Sequence, residues 1–135
     1  MTAGRIAIVV VIVSALLLMM YCCWDFLAPP AMRAKTWPIR WALFHRVYEG
    51  QINRLPDPQN GTLKHIEWDG WGFPGAGNTV VYLVFDPKNS LYGAAKSGTP
   101  GKYNGVPCEV YRVRQLASHW YTVHFYTQTD WGHCE

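Results

Sequence analysis

Asn78–Phe85 reads NTVVYLVF, a run of β-branched and aromatic side chains that is apolar at odd and even positions alike. A strand with one wet face alternates apolar with polar residues. This one does not, so it reads as a central strand covered on both sides. Upstream, Thr62–Trp68 (TLKHIEW) is a second strand candidate with imperfect alternation. Asp69–Gly77 (DGWGFPGAG) between them reads as a loop, too long for a tight hairpin turn and carrying Trp71 and Phe73.

Downstream, Asp86-Pro87 looks like an N-cap followed by proline at the first helical position, which predicts a short helix over Lys88–Lys96. Ser97–Pro107 is a Gly/Pro-rich flexible loop. Cys108–Gln115 and Ser118–Gln128 then read as an antiparallel hairpin. In its second strand Trp120, Thr122, His124 and Tyr126 share one side, and Tyr121, Val123 and Phe125 the other.

Before the strands, Trp37-Pro38 opens an amphipathic helix that Gly50 is expected to stop. On a helical wheel Trp37, Trp41, Leu43, Phe44, Val47 and Tyr48 fall on one broad face. Arg40 sits in the middle of that apolar arc, as a stem that packs while its guanidinium reaches a carboxylate or head group. The fold class is therefore α+β: a four-stranded, mainly antiparallel sheet against an amphipathic helix.

Farther out lies Ile6–Trp24 (IAIVVVIVSALLLMMYCCW), with no charged residue between Arg5 and Asp25. About 19 helical residues reach roughly 28 Å, close to the hydrocarbon thickness of a bilayer. The expected organisation is a transmembrane signal anchor over 1–27, a proline-stiffened linker over 28–35 and a small extracytoplasmic domain over 36–135. A short basic start ahead of an apolar run keeps the N-terminus in the cytoplasm and exports the rest. The count of Arg33, Lys35 and Arg40 against Arg5 votes the other way, with less weight because these charges lie beyond Pro29-Pro30. The expected place is the bacterial inner membrane, single-pass, with the C-terminal domain in the periplasm.

The 135 residues carry a net charge of +3, a 16% charged fraction and 15% aromatic residues, which suits one small folded domain. Basicity is concentrated at Arg33, Lys35, Arg40, Arg46 and Arg54, where anionic head groups are near. From Leu55 onward six basic residues meet seven acidic ones, so the outer domain has no basic face for nucleic acid.

Cys108 and Cys134 are brought to one end of the same hairpin and are expected to pair in an oxidising compartment. Gly70-Trp71-Gly72-Phe73-Pro74-Gly75 matches a dinucleotide fingerprint in letters only, because a strand follows where a helix is needed. Its glycines are expected to supply positive φ angles. The five histidines have no zinc-ligand spacing, and the serines sit in no nucleophile motif, so no metal, cofactor or catalytic residue is expected.

What remains is an anchored module that binds a protein. Its contact residues are expected at Asp69, Trp71 and Phe73 on the loop and at Trp131 in the tail, because exposed tryptophan is favoured as an interface anchor. The layout of one anchor and one stapled domain resembles that of immunity proteins that neutralise a toxin in the envelope. The alternatives are a glycan-binding platform of Trp68, Trp71, Trp120 and Trp131, and a small envelope hydrolase.

Overall fold

The computed structural model describes residues 3–73 and 75–134. The chain divides into two compact units, Met1–Trp37 and Pro38–Glu135. The first contains α1 (Ala3–Leu27) and the opening of α2 (Pro30–Arg54). The described side chains of α1 from Ile8 to Tyr21 are exposed. Among the described residues no helix is long and apolar enough to cross a membrane. Ile6, Ala7, Cys22 and Trp24, which belong to the apolar run, have side chains outside the described set.

Helix α2 starts earlier and ends later than its sequence suggests. The Pro29 carbonyl accepts the N–H groups of Met32 at 2.8 Å and Arg33 at 3.1 Å, so the first turn forms at Pro30. Proline is tolerated there because its missing N–H needs no intrahelical partner. Residues 30–35 are therefore helical. Pro38 lies inside the helix, removes one backbone donor, and stands where the two units meet. Gly50 does not stop the helix. Ile52, two residues on, is 1% exposed, and burying it outweighs the ~1 kcal/mol that a helical glycine costs.

The second unit holds five strands, not four: β1 (Lys64–Phe73), β2 (Gly77–Phe85), β3 (Gly101–Lys102), β4 (Glu109–Ala117) and β5 (Trp120–Phe125). They form one antiparallel sheet in the order β1-β2-β5-β4-β3. Strand β3 lies in the stretch read as a flexible loop. Its two residues carry no alternation, and they pair only because Glu109 and Val110 are opposite them.

The segment read as a loop, Asp69–Gly77, is mostly strand. Strands β1 and β2 pair out to Phe73 opposite Gly77, and among the described residues Gly75 and Ala76 form the turn. Two glycines permit this for different reasons. Gly77 takes φ 81°, in the left-handed region. Gly72 has no such need; a Cβ on it would lie 2.7 Å from the Gly77 carbonyl oxygen and would collide with Asn78.

Both faces of the sheet are covered. On one, α2 sets Trp41 4.8 Å from Trp120 and Tyr48 4.9 Å from Trp68, ring centre to ring centre. On the other lies the main core: Val84, Val113, Tyr121, Val123 and Phe125 with Leu91 and Ala94 of the segment around α3 (Tyr92–Ser97). NTVVYLVF is a covered strand for this reason: Val81, Leu83 and Val84 are all 0% exposed.

Helix α3 begins four residues later than expected. Asp86 is fully buried, and its carboxylate accepts from Lys88 N, Ser90 Oγ and Leu91 N. It thus organises a turn ahead of the helix instead of capping it. The broad apolar face of α2 is also split. Trp41 and Tyr48 turn to the sheet, whereas Leu43, Phe44 and Val47 are exposed. Arg40 turns inward, donating from Nε to Tyr48 OH and from Nη1 to the Trp68 carbonyl, each at 2.8 Å. Among the described residues it finds a carbonyl and a hydroxyl, not a carboxylate.

The Cys108–Cys134 disulfide is present, with Cα atoms 5.1 Å apart. The tail before it is set by Asp130, whose Oδ1 accepts the N–H groups of Gly132 at 2.7 Å and His133 at 2.9 Å. Those bonds, the Gly132 one foremost, hold the Asp130 carboxyl below its ordinary range.

Candidate functional site

The site begins with a register shift. Glu67 pairs with Tyr82 and Asp69 with Val81, so Trp68 is an extra residue bulged from β1. Because strand side chains alternate, one extra residue moves everything after it to the opposite face. Asp69 and Trp71 are thereby aimed to the same side as Val81 and Thr79, the face on which α2 packs.

Register carries that row across the sheet. Asp69 pairs with Val81, Val81 with His124, and His124 with Arg112. Arg114 follows two residues on, opposite Thr122. Four strands at about 4.8 Å spacing put roughly 14 Å between the ends of this row. At its β1 end stand Asp69 and Trp71, half-buried; at its β4 end, Arg112 half-buried and Arg114 exposed.

The electrostatics of the row are set by burial. His124 is 8% exposed, and its pKa is pushed down to about 4, first by loss of water and then by the positive charges of Arg114 and Arg112. Its imidazole is neutral at pH 7. Among the described residues neither arginine makes an ion pair. Arg112 lies 5.4 Å over the Tyr111 ring, a contact that leaves guanidinium N–H groups able to take a carboxylate in a forked geometry. The buried Thr122 hydroxyl opposite Arg114 makes no hydrogen bond among the described residues. Strand β3 covers only Glu109 and Val110, so from Tyr111 onward β4 has no further strand outside it among the described residues.

The expected contact residues are not all brought together. Asp69 and Trp71 share the row. Phe73 ends β1, and its side chain lies outside the described residues. Trp131 is on the other face, stacked on His65 at 3.8 Å and set against Tyr82 and Phe125 at 5.5 and 5.8 Å. The same cluster takes water from His65 and lowers its pKa, against a raising contribution from the Leu63 carbonyl. Trp68 and Trp120 are 3% and 6% exposed. The four tryptophans considered as a sugar platform therefore form no continuous exposed row.

Arg112 and Arg114 were the residues that sequence reasoning passed over. Their signal was present: they flank Val113 at a spacing of two within a strand candidate, which sends both to one face. Ser118 and His119 are the two turn residues between β4 and β5, and His119 Nδ1 lies 3.2 Å from the Asp86 carbonyl. Among the described residues no three His, Cys, Asp or Glu side chains are grouped to hold a metal. No protein family matches the chain, and no curated protein or solved structure matches it.

Proposed function

We propose that this chain is a membrane-anchored, extracytoplasmic protein-binding module, held by Ile6–Trp24 in the inner membrane with its α+β domain on the oxidising side. The observation that carries this reading is the pairing of an apolar, exposed N-terminal helix with a disulfide-closed outer domain. Structural disulfides persist outside the cytosol, and the uncharged run Ile6–Trp24 within α1, read over its full sequence, suits lipid surroundings.

The partner is a protein that offers acidic side chains. Arg112 and Arg114 supply charge that no ion pair among the described residues neutralises, and Asp69 and Trp71 a second contact at the other end of the row, with the buried Val81 and His124 between the two. An immunity protein that intercepts a toxin in the envelope is the specific role that suits such a module, since it asks for an anchor and a contact surface.

Two measurements test this together. A phosphatase reporter fused after Glu135 is expected to be active, because it needs the oxidising compartment; activity only of a cytosolic reporter would overturn the topology. A photo-crosslinking amino acid at position 114 in intact cells is expected to give one discrete protein adduct that Asp69→Arg or Arg112→Glu weakens. A crosslinking pattern unchanged by both substitutions would remove this row as the contact surface.

A further inference from the structure

Within the second unit the outward side of α2 is apolar and unusually bare: Ile39, Leu43 and Val47 are 63%, 68% and 56% exposed, and Phe44 is 47% exposed. At 100° per residue Ile39, Leu43 and Val47 fall within about 80° of arc, roughly opposite Trp41 and Tyr48, which hold the helix to the sheet. Arg46 lies about 20° to one side of Ile39, and Arg54 falls between Leu43 and Val47. Both arginines are exposed, and among the described residues neither makes an ion pair. The only acid from Pro38 to Arg54 is Glu49.

We infer that this face of α2 lies in the surface of an anionic bilayer, with Ile39, Leu43 and Val47 at the level of the acyl boundary and Arg46 and Arg54 on lipid phosphates. Apolar side chains flanked by arginine are the composition of a helix that lies in a membrane interface. Each such cation near an anionic surface adds to the attraction. A second copy of the chain is a poorer occupant, because two such faces would bring Arg46 and Arg54 against like charges. Reach is not limiting: Ile39 follows Leu27, the end of α1, by twelve residues, and because the chain is helical from Pro30 the span between them is at most about 25 Å. The inference rests on the proposed anchor, and it gives the outer domain a preferred seat on the membrane that the anchor alone does not supply.

The test uses the full chain with Cys22→Ala and Cys23→Ala, leaving the Cys108–Cys134 bond intact, in vesicles containing phosphatidylglycerol. An environment-sensitive fluorophore is placed singly at Leu17→Cys in α1, at Leu43→Cys in α2 and at Lys88→Cys on the exposed loop before α3. Labels at 17 and 43 are expected to be shielded several-fold from iodide relative to 88 and to be quenched by spin-labelled lipid. Arg46→Glu with Arg54→Glu is expected to undo this at 43 and not at 17. A label at 43 as open to iodide as that at 88, with 17 still shielded, overturns the inference and leaves the anchor standing. Shielding at 43 without quenching by spin-labelled lipid also overturns it, since protein then covers the face. Exposure at both 17 and 43 overturns the anchor itself.

Discussion

The Arg40 guanidinium lies 4.2 Å over the Trp68 ring while its Nη1 donates to the Trp68 carbonyl at 2.8 Å. One helix residue thus grips both the ring and the backbone of the bulge that aims Asp69 and Trp71. Arg40→Ala removes two hydrogen bonds and two cation–π contacts, to Trp68 and Tyr48, and should lower stability by about 2 kcal/mol in urea or guanidinium unfolding. Arg40→Lys should recover only part of this, because an ammonium cannot stack and fork at once. Loss below about 0.5 kcal/mol for the alanine variant would show that the bulge holds itself.

His124 makes the domain acid-sensitive. Its pKa falls from the ordinary 6.5 to about 4 on folding, so between those values the unfolded chain binds a proton that the folded chain refuses. Stability is whole above pH 6.5 and falls as the pH drops toward 4, by up to about 3 kcal/mol. His65 shifts in the same direction. His124→Gln should flatten the slope of unfolding free energy against pH in that window, and Arg114→Ala should raise the imidazole pKa in an NMR titration. An unchanged slope in the glutamine variant would refute the assignment.

Cys108 and Cys134, 26 residues apart in sequence, close the β4-β5 hairpin and the tail into one loop. Replacing both with serine should cost about 3 kcal/mol in the chain-entropy account. The far-UV spectrum at low temperature should be kept, because the sheet register is set by side chains elsewhere. The check is a denaturant midpoint compared with and without reductant on the parent chain; both treatments should give the same shift.

Two glycines should respond in opposite senses. Gly72→Ala forces a methyl group against the Gly77 carbonyl and Asn78, and should destabilise by about 1–3 kcal/mol through overpacking between β1 and β2. Gly50→Ala meets nothing within 4 Å inside α2, and should stabilise by about 1 kcal/mol. Thermal unfolding of the two variants side by side decides both.

Sequence was a good guide wherever a pattern repeats over several residues. NTVVYLVF announced a covered strand, and the alternation around Val123 separated the two faces of β5 correctly. The same rule applied to Arg112-Val113-Arg114 would have found the basic end of the site. It failed where one residue changes the outcome. Nothing in DGWGFPGAG says that Trp68 slips out of register, that Gly72 is there for close approach, or that strand pairing continues to Phe73.

By itself the sequence determined the α+β class, the paired cysteines and the apolar N-terminal run, because these follow from composition and period, which each residue contributes to independently. Tertiary structure alone decided which face Asp69 and Trp71 occupy, that Trp131 leaves them for the opposite side, and that His124, buried beside Arg112 and Arg114 of the neighbouring strand, gives up its proton. Those outcomes depend on register and on exclusion of water, and both arise only when distant segments pack against one another.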